Sequence, residues 1–131
     1  MSLQLIESED QVLPTACPII FDEILFKNSH DMCCHEHEGR IEICRRGGYI
    51  VDWDVAIEDA PHSDFARFGI EVNGDVVATS TLPTKAGQLT GQALIEVEEL
   101  PTTLRLINDT GEAVKLSKHS PIANLRITTL N

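Results

Sequence analysis

Apolar and polar side chains alternate along much of this chain, and no stretch of ten or more residues repeats apolar positions at helical spacing. The clearest case is residues 49–58. Tyr49, Val51, Trp53, Val55 and Ile57 fall on one face there, and Ile50, Asp52, Asp54, Ala56 and Glu58 on the other. This is the pattern of a long strand, with Tyr49, Val51, Trp53 and Val55 as candidate core residues. Residues 65–72 and 75–80 flank Asn73-Gly74. That pair predicts a hairpin, because both central residues of a type I′ turn need positive φ. Over residues 88–98, Leu89, Gly91, Ala93, Ile95 and Val97 share a face. Residues 103–107 and 113–116 flank the turn cluster Asn108, Asp109, Thr110 and Gly111, which reads as a second hairpin. Further strands are predicted at residues 18–26, at residues 40–44 before the Gly47-Gly48 breaker, and at residues 122–130. Roughly eight to ten short strands separated by turn signals predict an all-β sandwich or barrel.

The 131 residues suit one domain, with residues 1–12 as an N-terminal arm or edge strand. Hydrophobic residues make up 42% of the chain and aromatic ones 5%, so the core must be built mainly from Val, Ile and Leu. No apolar run approaches the ~20 residues of a membrane-spanning helix, so no membrane insertion is expected. The first residues carry neither a basic segment nor a long apolar stretch. The expectation is therefore synthesis in a cytosol without a secretory signal peptide. A net charge of −11 argues against a nucleic-acid partner and against anionic membrane surfaces. Cys17, Cys33, Cys34 and Cys44 are read as reduced thiols rather than as a disulfide framework.

Several segments carry a family likeness. Gly47-Gly48-Tyr49-Ile50-Val51-Asp52-Trp53-Asp54-Val55 resembles the Gly-x-Tyr-x-Val-x-Trp strand of the tumour-necrosis-factor-like jelly rolls, a superfamily that includes the globular heads of complement and collagen-like proteins. Leu104-Arg105-Leu106-Ile107-Asn108-Asp109-Thr110-Gly111 and Ser120-Pro121-Ile122-Ala123-Asn124-Leu125-Arg126-Ile127 are similar to the closing strands of its bacterial branch. Domains of that branch cap collagen-like filaments on the spore surface, the exosporium. Phe68-Gly69-Ile70-Glu71-Val72-Asn73-Gly74 resembles its hairpin, and Gln88-Leu89-Thr90-Gly91 its next strand entry. The resemblance implies a ten-stranded, two-sheet antiparallel jelly-roll sandwich that assembles as a homotrimer. It implies a role in surface assembly, adhesion or binding of a protein or glycan ligand, and not an enzyme. It also implies that the second face of the Gly-Tyr strand, with Ile50, Asp52 and Asp54, approaches the trimer axis. The chain departs from the filament-capping proteins in having no Gly-X-Y segment, which leaves a stalk unaccounted for.

The chemically densest stretch runs from His30 to Glu38. On an extended segment, Cys33, His35 and His37 would share a face, a partial site for zinc or another divalent cation. The spacing is not that of a zinc finger, and a polar surface loop explains the same residues. Adjacent strand residues point to opposite faces, so Cys34 and His35 make a poor nucleophile–base pair. His62 and His119 sit in turn contexts, and Gly47-Gly48 leads into a strand rather than a phosphate-binding helix. No catalytic set emerges. A cupin-like metalloenzyme, the least favoured reading, finds no suitably spaced histidines. Arg45 and Arg46, with Lys27 and Arg40, read first as a solvated sheet edge and second as a spot for an anion.

Overall fold

The structure is a computed structural model and describes residues 2–5, 11–21, 23–26, 32–35, 39–117 and 122–130. It is the all-β, two-sheet antiparallel jelly-roll sandwich that the alternation and the resemblance predict. The strands are β1 (Ser2–Leu5), β2 (Gln11–Leu13), β3 (Glu23–Phe26), β4 (Met32–His35), β5 (Arg40–Ile43), β6 (Gly47–Asp59), β7 (Ala66–Val72), β8 (Asp75–Leu82), β9 (Gly87–Val97), β10 (Thr102–Asn108), β11 (Val114–Leu116) and β12 (Ala123–Leu130). Of these, β2 and β11 are three-residue segments; the other ten are the main strands.

One sheet runs β2-β11-β6-β12-β1-β3, with β9 on the free side of β6; the other runs β4-β5-β10-β7-β8. The N-terminal β1 therefore lies between β12 and β3. The thirteen-residue β6 organises the larger sheet. It pairs with β9 along one edge, and with β12 and then β11 along the other. Tyr49, Val51, Trp53, Val55 and Ile57 are buried, as their period of two predicts. They pack with Leu89, Ile95, Leu125 and Ile127 against Ile41, Ile43, Phe68, Ile70, Leu104 and Leu106 of the other sheet. At about 1.5–3 kcal/mol for each large side chain removed from water, this layer is the main source of stability.

The predicted β7–β8 hairpin is present, with φ of 50° at Asn73 and 92° at Gly74. Its register slips once, where Ile70 pairs with Ala78 but Glu71 with Val76, leaving Val77 as an extra residue. That bulge leaves neighbouring Val76 and Val77 both exposed.

Two sequence readings are corrected. Asn108 to Gly111 does not close a hairpin: β10 belongs to the five-stranded sheet and β11 to the seven-stranded one, so the turn is a crossover. Its pivot is Asn108, fully buried, whose Nδ2 donates to Leu13 O and Glu112 O at 2.9 Å while Oδ1 accepts from Thr110 N at 3.0 Å. Among the described residues, the strand predicted over residues 18–26 is laddered only at Glu23–Phe26. Pro18 has no N–H to donate, and the segment around it makes a single bridge to Ile107.

Candidate interaction face

The outward side of β6 carries Gly48, Ile50, Asp52, Asp54, Ala56 and Glu58, because the inward side takes every alternate apolar residue. Register then fixes its neighbours. Ile50 lies between Leu94 of β9 and Thr128 of β12, Asp52 between Gln92 and Arg126, and Asp54 between Thr90 and Asn124. The face is thus banded, apolar at one end and polar in the middle. Gln92 Nε2 donates to Asp52 Oδ1 at 2.7 Å. Asp54 Oδ1 accepts from Gln88 Nε2 and Asn124 Nδ2, each at 3.4 Å. Neutral amides hold both half-buried carboxylates in place.

At the apolar end, Ile50, Gln92, Ala93, Leu94 and Leu130 line an open depression of about 360 Å³. A second depression, of about 170 Å³, opens round the corner between β8 and β9, lined by Val72, Val77, Ala78, Leu94, Ile95 and Glu96. Leu94 is the ridge between them and is 71% exposed, the most exposed large hydrophobic side chain among the described residues. Sequence reasoning selected Ile50, Asp52 and Asp54 and missed Leu94. The signal was there: Leu94 interrupts the otherwise polar outward series Gln88, Thr90, Gln92 and Glu96.

The candidate metal residues do not come together as a described site. Cys33 is exposed on β4. His35 lies two residues along that strand, opposite Arg40. His37 lies outside the described residues, as do Lys27 and His119. Among the described residues no three His, Cys, Asp or Glu side chains gather as a metal site. Cys17, Cys33 and Cys44 are free thiols, and His62 is exposed in a turn. In the suggested basic spot, Arg46 Nε donates to Glu98 O at 2.8 Å, so this residue braces the β5–β6 loop.

No protein-family model matches the chain, and no curated protein matches it. Solved structures do match in fold. The chain is similar to the Eiger tumour necrosis factor of S. frugiperda at 12% identity and a TM-score of 0.79, covering 99% of this chain and 90% of that one. It is similar to the globular domain of zebrafish complement 1qA at 11% identity and a TM-score of 0.71, covering 99% and 97%. It is similar to murine APRIL at 10% identity and a TM-score of 0.71, covering 98% of each chain. Identities this low establish a shared jelly-roll fold.

Proposed function

We propose that this protein is a non-catalytic jelly-roll module that assembles as a homotrimer through the outer face of its seven-stranded sheet and displays its remaining surface to a protein or glycan ligand. The observation that carries this reading is the Leu94 ridge with an apolar depression on either side. One depression lies on the sheet face and the other at the sandwich edge, so the two surfaces point in different directions. Two unlike patches of matched chemistry suit a head-to-tail contact, which closes into a ring when the rotation allows. Neither depression is lined by a basic side chain, and Glu96 is the one acidic residue. Apolar burial, rather than ion pairing, is what would bring together chains of net charge −11. The fold shared with Eiger, complement 1qA and APRIL agrees with a binding role. A spore-surface setting is supported by the sequence likeness of the closing strands alone.

The test is the native mass of untagged protein by light scattering behind a sizing column, for the wild type and Leu94→Asp. The wild type is expected at three times its chain mass and the variant at a lower mass. Because Leu94 lies outside the core, the variant keeps a folded far-ultraviolet spectrum. A wild-type monomer at tens of micromolar, or a trimer indifferent to the substitution, overturns the assignment of this face.

A further inference from the structure

The β4–β5 ladder lies in the five-stranded sheet, away from the face assigned to assembly, and it brings two thiols from neighbouring strands onto one surface. Met32 pairs with Ile43, Cys33 with Glu42 and Cys34 with Ile41. Met32, Ile41 and Ile43 are buried in the core. Alternation therefore turns Cys33 and Glu42 outward, and Cys44, the residue after Ile43, outward with them. Both Cys33 and Cys44 are free thiols and exposed, as this placement requires. The register makes them diagonal neighbours: Cys33 faces Glu42, and Cys44 lies two residues farther along that chain segment.

Spacing selects what such a pair can hold. Diagonal residues of a ladder are about 7–8 Å apart, with their Cβ atoms somewhat closer. A disulfide needs Cβ atoms about 3.5–4.5 Å apart, so joining these two sulfurs directly would pull the strands out of register. A shared cation spans more. Two thiolates at about 2.3 Å on either side of one ion lie up to about 4.6 Å from each other, which reaches across Cβ atoms too distant for a disulfide. The number of ligands narrows the choice of ion. Zinc takes four, and among the described residues no three His, Cys, Asp or Glu side chains gather as a metal site. Copper(I) is soft, selects thiolate sulfur and is satisfied by two ligands in a line.

We propose that Cys33 and Cys44 form a two-thiolate site for copper(I) on the outer face of the β4–β5 ladder. On binding, each thiol gives its proton to solvent and a sulfur lone pair to the ion, with no change of oxidation state. Two thiolates and one monovalent cation leave the site with a single negative charge. Because both thiols are exposed, the ion enters and leaves without opening the sandwich. The site stands whether or not the chain forms trimers.

The test uses the whole chain, reduced and kept free of oxygen, titrated with copper(I) held by bicinchoninate, whose colour is lost as the ion moves to the protein. One copper(I) per chain is expected to transfer, with a new thiolate-to-copper absorption in the ultraviolet. Cys33→Ser and Cys44→Ser should each abolish the transfer, and Cys34→Ser should keep it. In the wild type, one equivalent of copper(I) should shield Cys33 and Cys44 from iodoacetamide, as read by peptide mass spectrometry. That readout does not depend on how the variants fold, and unchanged far-ultraviolet spectra check the variants themselves. Zinc(II) should not bind stoichiometrically under the same conditions. Transfer that survives Cys44→Ser, or that is lost with Cys34→Ser, would put the ion on the adjacent thiols of β4 and overturn the site. So would stoichiometric zinc binding, half an equivalent of copper(I) shared between two chains, or no transfer at all.

Discussion

At the residue scale, two close fits hold the sandwich in register. Trp53 reaches from the larger sheet to the smaller one, where its Nε1 donates to Ser80 Oγ at 2.9 Å. Its indole lies so close to the Gly91 backbone that a Cβ there would land on the Cε2 and Cζ2 atoms. The alternation of residues 88–98 showed that Gly91 faces inward. It did not show why a glycine stands among larger core residues, because the reason sits on another strand. Gly91→Ala is therefore expected to destabilise by about 2 kcal/mol through overpacking. Because Trp53 is the single tryptophan, its fluorescence would report both the displaced indole and the lowered denaturant midpoint. A midpoint equal to wild type would mean that the ring has room to move. The second fit is Asn108, whose amide serves three partners in a buried site. Asn108→Leu keeps the volume and orphans two carbonyls and an amide. A loss of about 3 kcal/mol is expected in urea denaturation, given roughly 1–3 kcal/mol for each buried group left unpaired.

At the element scale, what could be read from sequence was whatever local chemistry decides. The type I′ hairpin is one example, since Asn73 and Gly74 are chosen by their own backbone angles. Asn73 does more than turn the chain: its Oδ1 accepts from Thr103 N at 2.9 Å and its N donates to Thr103 O at 2.9 Å, tying the hairpin to β10. Asn73→Ala should then cost about 2 kcal/mol, against about 1 kcal/mol for Gly74→Ala, which strains a Cβ at φ 92° but breaks no side-chain contact. Thermal melts of the two variants would check the order, and a reversed order would mean that the Thr103 contact contributes nothing. The misread elements fail for the complementary reason. Asn108, Asp109, Thr110 and Gly111 have turn chemistry whether the following strand returns to its neighbour or crosses to the other sheet. Sheet membership is decided by what β11 meets, namely β2 and β6, and neither is close in sequence. The same limit hid the slip in β8: Val76 and Val77 look like one inward and one outward residue until the bulge exposes both.

At the scale of the whole molecule, the banded face and the net charge would act in opposite directions on the proposed assembly. Each copy brings a charge of −11, so closing a ring of three concentrates like charge. The outward carboxylates Asp52 and Asp54 are neighbours along β6 and are held by neutral amides rather than by an ion pair to a lysine. In the proposed ring, attraction would come from the depressions beside Leu94, and apolar burial does not weaken as salt is added. Repulsion between exposed charges does weaken, because the screening length falls from about 30 Å at 0.01 M salt to about 10 Å at 0.1 M. Association should therefore tighten as sodium chloride rises from low to physiological concentration. Sedimentation or light scattering on a dilution series would read this as a falling dissociation constant. Leu94→Asp should weaken association throughout the range while leaving the direction of the salt effect intact. Dissociation promoted by salt would require the opposite design, in which ion pairs between copies hold the ring. Arg126, the one arginine of the larger sheet and exposed beside Asp52, would then be the residue to replace first.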